Sequence, residues 1–63
     1  MNNTGLKLIE AIESQTGQTV TINCEKVLYF MDCGDETMVV YEKSNIFIKE
    51  KYSEIKSLLN QMI

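Results

Sequence analysis

The chain has 63 residues, room for a single small domain spanning all of it, and a domain of that size buries only ~60% of the surface its unfolded chain exposes. With 44% hydrophobic residues, no Pro and 3 Gly, it is neither disordered nor of low complexity. Nine acidic residues against six Lys, with no Arg, give a net charge of −3 that alternates in sign along the chain; nucleic-acid binders instead cluster basic charge and use Arg to grip guanine, so DNA or RNA is not an expected partner.

Residues 6–13 open the pattern ambiguously. Ile9, Ile12 and Glu13 suit a helix, whereas Leu6, Leu8 and Ile12 suit a strand. The next residues decide for a strand, because Gln15-Thr16-Gly17 reads as a three-residue hairpin loop with Gly17 in the left-handed position. Thr19-Val20-Thr21-Ile22 alternates β-branched polar and apolar residues and reads as a second strand. After a break at Asn23-Cys24-Glu25-Lys26, the apolar run Val27-Leu28-Tyr29-Phe30-Met31 has the length of a third strand. A two-residue loop at Gly34-Asp35 leads to a fourth strand, Thr37-Met38-Val39-Val40-Tyr41, and a weaker turn at Lys43-Ser44 to a fifth, Ile46-Phe47-Ile48. Ile55, Leu58, Leu59 and Met62 then fall at i, i+3, i+4 and i+7, which predicts a helix over residues 51–62, capped by Ser53 or Glu50. The fold class is therefore α+β: an antiparallel β-meander of about five strands with one C-terminal helix.

Register arithmetic sorts the sheet residues. The loop at Gly34-Asp35 sets Met31 opposite Met38, Phe30 opposite Val39 and Tyr29 opposite Val40. The loop at Lys43-Ser44 sets Tyr41 opposite Ile46, Val40 opposite Phe47 and Val39 opposite Ile48. Opposed residues share a face. One face then carries Leu28, Phe30, Val39, Tyr41, Ile46 and Ile48, and the other carries Val27, Tyr29, Met31, Met38, Val40 and Phe47. Both are apolar, where a sheet with one solvated face should alternate. One helix can cover only one of them. The more branched set, Phe30, Val39, Ile46 and Ile48, suits the helix. That leaves Tyr29, Met31, Met38, Val40 and Phe47 as the expected interface residues, unless the sheet curls to cover its own second face as a small barrel does.

Chemistry is sparse. Without His the commonest general base and metal ligand is missing, and two Cys alone do not make a zinc site. Gly5, Gly17 and Gly34 are isolated, so no phosphate-cradling loop is present. Asp32, Asp35 and Glu36 read as a solvated hairpin tip rather than a cation site, and nothing in this acidic neighbourhood favours a thiolate at Cys33. No catalytic residue, cofactor or metal is expected, and the protein is not expected to be an enzyme. Cys24 and Cys33 flank the third strand, whose ~3.3 Å per residue separates them beyond the ~7 Å Cα limit of a disulfide, so both should be free thiols. Tyr29, Tyr41 and Tyr52 suit core, rim or interface positions. The N-terminal Met1-Asn2-Asn3-Thr4-Gly5 shows no signal peptide, and no apolar run approaches the ~20 residues of a membrane span, so a soluble, cytoplasmic protein without a membrane partner is expected.

Val20-Thr21-Ile22-Asn23, then Lys26-Val27-Leu28-Tyr29-Phe30, then Ile46-Phe47-Ile48-Lys49-Glu50 leading into a helix, resembles the first half of LytTR-type DNA-binding domains. It is also similar to the FlbD-type flagellar proteins and related short bacterial and phage proteins. The resemblance implies a small sheet-plus-helix fold. Cys24 stands where a Pro is common and Lys51 where a capping Ser is common, and the basic second half with which LytTR domains contact DNA is missing, so DNA binding is not implied and no functional residue carries over. The expected function is a non-enzymatic protein–protein interaction module that self-associates as a dimer or higher homo-oligomer through an apolar sheet face, with another protein as a further partner. Two alternatives are a compact inhibitor of a mobile element or phage that binds a host or defence protein, and a small-molecule binder with a pocket at an oligomer interface.

Overall fold

The computed structural model describes residues 7–61. In chain order these form strands β1 (Leu8–Ile12) and β2 (Thr19–Asn23), a short 3-10 turn (Cys24–Lys26), strands β3 (Val27–Asp32), β4 (Thr37–Tyr41) and β5 (Asn45–Ile48), and helix α1 (Tyr52–Asn60). Every strand pairing is antiparallel, giving the α+β arrangement of five strands and a C-terminal helix that the sequence predicts.

The first hairpin pairs Ile9 with Ile22 and Ala11 with Val20, and these residues face inward. Leu8 and Ile12, which fit the strand pattern, instead lie on the exposed side; Leu6 lies outside the described residues. The inward set follows from β2, where only Val20 and Ile22 can supply an apolar face. The loop is one residue longer than expected: it runs from Ser14 to Gly17, closed by the Glu13 N–H donating to the Gln18 carbonyl at 2.8 Å. Gly17 takes φ +76°, a conformation costly for a residue with a Cβ.

β2 and β3 do not pair, so the strands are not one continuous meander but a two-stranded and a three-stranded sheet. The Asn23 side chain accepts the Glu25 N–H at 3.0 Å and starts the 3-10 turn, which re-aims the chain before β3 begins. The sheets meet where Glu13 bridges to Ile48. There Ser14 N–H donates to the Phe47 carbonyl and Lys49 N–H to the Ile12 carbonyl, both at 2.8 Å.

In the larger sheet Met31 pairs with Met38, Phe30 with Val39 and Tyr29 with Val40, as the Gly34-Asp35 loop requires. Gly34 has φ +85° and its N–H donates to the Asp32 carboxylate at 2.9 Å. A bulge between Val27 and Tyr29 overturns one assignment. Val27 pairs with Tyr41 and packs on the core, while Leu28 is 63% exposed, so these two residues exchange the roles expected of them. The extra residue in β3 reverses the alternation there.

The β4–β5 register is also corrected. The Tyr41 N–H donates to the Ser44 carbonyl at 2.7 Å, so the tight loop is Glu42-Lys43, one residue earlier than expected. Val39 now faces Ile46, Met38 faces Phe47 and Thr37 faces Ile48. Each partner moves by two residues, which preserves the face of every side chain.

Helix α1 begins at Tyr52, with Lys51 as its cap position rather than Ser53 or Glu50. The Lys51 N–H donates to the Glu54 carboxylate at 2.8 Å, the half of a capping box that a lysine cap permits. Ile55 is fully buried, Leu58 and Leu59 are half-buried, and Met62 lies outside the described residues. The core is Ile9, Ala11, Ile22, Val39, Ile48 and Ile55, contributed by both sheets and the helix. Fully burying a side chain such as Ile48 or Ile55 contributes ~1.5–3 kcal/mol, which is what holds this nine-residue helix in place.

Candidate interaction surface

Because strand residues alternate, filling one face of β3-β4-β5 with Phe30, Val39, Ile46 and Ile48 sends the intervening residues to the other. Tyr29, Met31, Met38, Val40 and Phe47 all fall there by register. They form two rows across the sheet: Met31–Met38–Phe47 and, beside it, Tyr29–Val40–Asn45. Tyr29 is 51% exposed, Met31 40% and Phe47 37%, with Met38 and Val40 half-buried between them. The helix packs its buried residue, Ile55, with Val39 and Ile48 on the opposite face. Among the described residues the sheet does not curl to bury this second face.

None of the five is charged, and only Asn45 interrupts the two rows with a polar side chain. Three strands ~4.8 Å apart and about five residues of ~3.3 Å give a footprint of roughly 240 Å². That is well below the ~800 Å² per partner of a standard interface. Leu28, at the start of the same strand, adds exposed apolar surface that sequence reasoning missed. A five-residue apolar run carries no mark of which member steps out of register.

The polar residues serve local structure. Both Glu50 carboxylate oxygens accept the Ile12 N–H, at 3.1 and 3.2 Å, and the Glu50 carbonyl accepts the buried Thr37 hydroxyl at 2.7 Å. The Glu13 carboxylate accepts the Thr16 hydroxyl at 2.6 Å and the Thr16 and Gln15 N–H groups at 3.0 and 3.1 Å. These bonds, the Thr16 hydroxyl first, hold its carboxyl below the ordinary glutamate range.

Cys24 and Cys33 are free thiols, the first half-buried beside the core and the second exposed at the hairpin. Burial pushes the Cys24 thiol up, with Lys7 opposing, and burial likewise raises Tyr41, aided by the nearby Cys24. Both side chains therefore favour their neutral forms and suit packing.

Among the described residues no three acidic or sulfur side chains converge as metal ligands. Two shallow depressions, of about 380 and 240 Å³, lie along β1 and contain none of the five outer-face residues. Among the described residues no helix is long and apolar enough to cross a membrane. No protein-family model, curated protein or solved structure matches the chain.

Proposed function

We propose that this protein is a non-enzymatic interaction module whose first partner is a second copy of itself, met through the outer face of β3-β4-β5. The observation that carries the reading is the exposure of Tyr29, Met31 and Phe47 on one uncharged surface while the helix occupies the opposite one. Thioether and aromatic side chains adapt to a partner surface and are enriched in interface cores. A symmetric pair places the same patch on both sides, so no separate complementary surface is needed. Burial of these residues would also add to the limited core of a 63-residue chain. The small footprint makes this face alone a weak contact, so association should depend on concentration.

Sedimentation velocity over a concentration series, on wild type and on Phe47→Glu, tests the reading. The expected result is a wild type that shifts to dimer and larger species as concentration rises and a variant that shifts less. A wild type that stays at 7.2 kDa throughout refutes it. An oligomer that Phe47→Glu leaves intact moves the contact off this face.

A further inference from the structure

We propose that two copies join edge to edge through β3, the two β3 strands running antiparallel about a two-fold axis at Met31, so that two three-stranded sheets become one sheet of six. The inference rests on the self-association proposed above and adds a second contact to it: a pair joined along β3 leaves both outer faces open side by side, and these joined faces stack on another pair.

β3 is the outer strand of its sheet. The Cys33 N–H donates to the Glu36 carbonyl at 3.0 Å, which makes these two a hydrogen-bonded pair beside the turn. Hydrogen-bonded pairs alternate along an antiparallel ladder, so Met31 and Tyr29 bond to Met38 and Val40. The N–H and C=O of Phe30 and Asp32 then point away from β4, and among the described residues no other backbone group meets them. An open edge of this kind is a template for another strand.

The other edges of the molecule differ. At β1 the Ile12 N–H is held by the Glu50 carboxylate and the Ile12 carbonyl by the Lys49 N–H. The outer strand β2 is bordered by the exposed polar side chains of Thr19, Thr21 and Asn23. β3 has no Lys and no Pro, and from Val27 to Met31 it has no charge at all. Its protective features are the charge of Asp32 at its end and the bulge at Leu28, which confines regular edge to the residues beyond it.

The bulge also selects the register. An axis at Phe30 would pair the bulged Leu28 with the partner's Asp32. An axis at Met31 pairs Phe30 with the partner's Asp32 and Asp32 with the partner's Phe30, giving four backbone hydrogen bonds made only by the regular part of the strand. No charge then stands opposite a like charge. Met31 meets the partner's Met31 as a non-hydrogen-bonded pair, where Cα atoms come within ~4.5 Å. That contact lies on the outer face and makes the two apolar patches continuous.

Disulfide trapping reads this geometry directly, because ~4.5 Å falls inside the ~4.4–6.8 Å Cα range of a disulfide. In a Cys24→Ala, Cys33→Ser background, Met31→Cys should give a covalent dimer under mild oxidation, and Phe47→Cys should not. On the unsubstituted chain, the Phe30 and Asp32 amides should exchange more slowly with deuterium as concentration rises. If Phe47→Cys cross-links and Met31→Cys does not, the copies stack face to face: self-association stands and the edge pairing is overturned. If Met31→Cys cross-links while Phe47→Glu associates to the same extent as wild type, the edge stands and the stacking of faces falls. Slow exchange of the Phe30 amide in a dilute monomer would place a segment of the same chain on this edge and overturn the proposal.

Discussion

Thr37 donates its hydroxyl to the backbone carbonyl of Glu50 across 2.7 Å, and this bond ties the central strand to the segment that enters the helix. Thr37 has no exposed surface and stands opposite Ile48 on the inner face. The carboxylate of the same Glu50 accepts the Ile12 N–H of β1. One residue thus joins both sheets to the start of α1.

Replacing Thr37 with Val keeps the shape and removes the donor. The Glu50 carbonyl then loses its partner in a part-buried position, a change worth about 1–3 kcal/mol. Chemical denaturation should show a lower midpoint for Thr37→Val, with Thr37→Ser, which keeps the hydroxyl, falling between it and wild type. Equal midpoints for Thr37→Val and wild type would mean that the bond contributes nothing.

Helix docking should depend on Ile55 more than on Leu58. Ile55 is fully buried among Val39 and Ile48, whereas Leu58 is only half-buried at the margin. A large-to-small change in a core costs ~2–5 kcal/mol, and a domain this size seldom has more than ~3–5 kcal/mol to lose. Ile55→Ala should therefore leave the protein largely unfolded by circular dichroism at ambient temperature. Leu58→Ala should fold with a lowered melting temperature; the reverse order would show that the helix packs through another face.

The elements were legible because each segment carries its own pattern: alternation in residues 19–22, turn glycines at Gly17 and Gly34, and a helical stripe that includes Ile55, Leu58 and Leu59. The details that failed lie where the pattern is silent. Five consecutive apolar residues do not say that Leu28 is the one left out of register. The Glu42-Lys43-Ser44 stretch has no Gly or Pro to fix the loop, so its position is set by tertiary bonds such as that of Thr37 to Glu50. The shared face of Tyr29, Met31, Met38, Val40 and Phe47 survives both corrections. The bulge precedes Tyr29, and a two-residue shift of β5 keeps Phe47 on the same side.

The bulge gives a sharp contrast between neighbours. Leu28→Lys places a charge on a side chain that is already 63% exposed and should change stability by less than ~0.5 kcal/mol. Val27→Lys brings a charge against Tyr41 and the core and should destabilise by several times as much. Matched denaturation curves check this, and a larger loss for Leu28→Lys would restore the unbulged register.

Acid should loosen the molecule at the Glu13 turn. The Glu13 carboxyl is held below its ordinary range, chiefly by the Thr16 hydroxyl, then by the Gln15 N–H and, more weakly, the Thr16 N–H. The folded state therefore binds this proton less readily than the unfolded state does. The stability that follows is fully present above the unfolded value, and it is lost as pH falls through the lowered folded value. Glu13 also bridges to Ile48 where the two sheets meet, so loosening its turn weakens their junction. Glu13→Gln keeps the size of the side chain but removes the charge that these donors share. At neutral pH the variant should melt below wild type, and the gap should close as both are titrated down through the lowered folded value, below which the wild-type carboxyl is also neutral. A gap that stays constant into acid would show that the carboxylate's charge contributes nothing to the turn and that the loss comes from side-chain geometry alone.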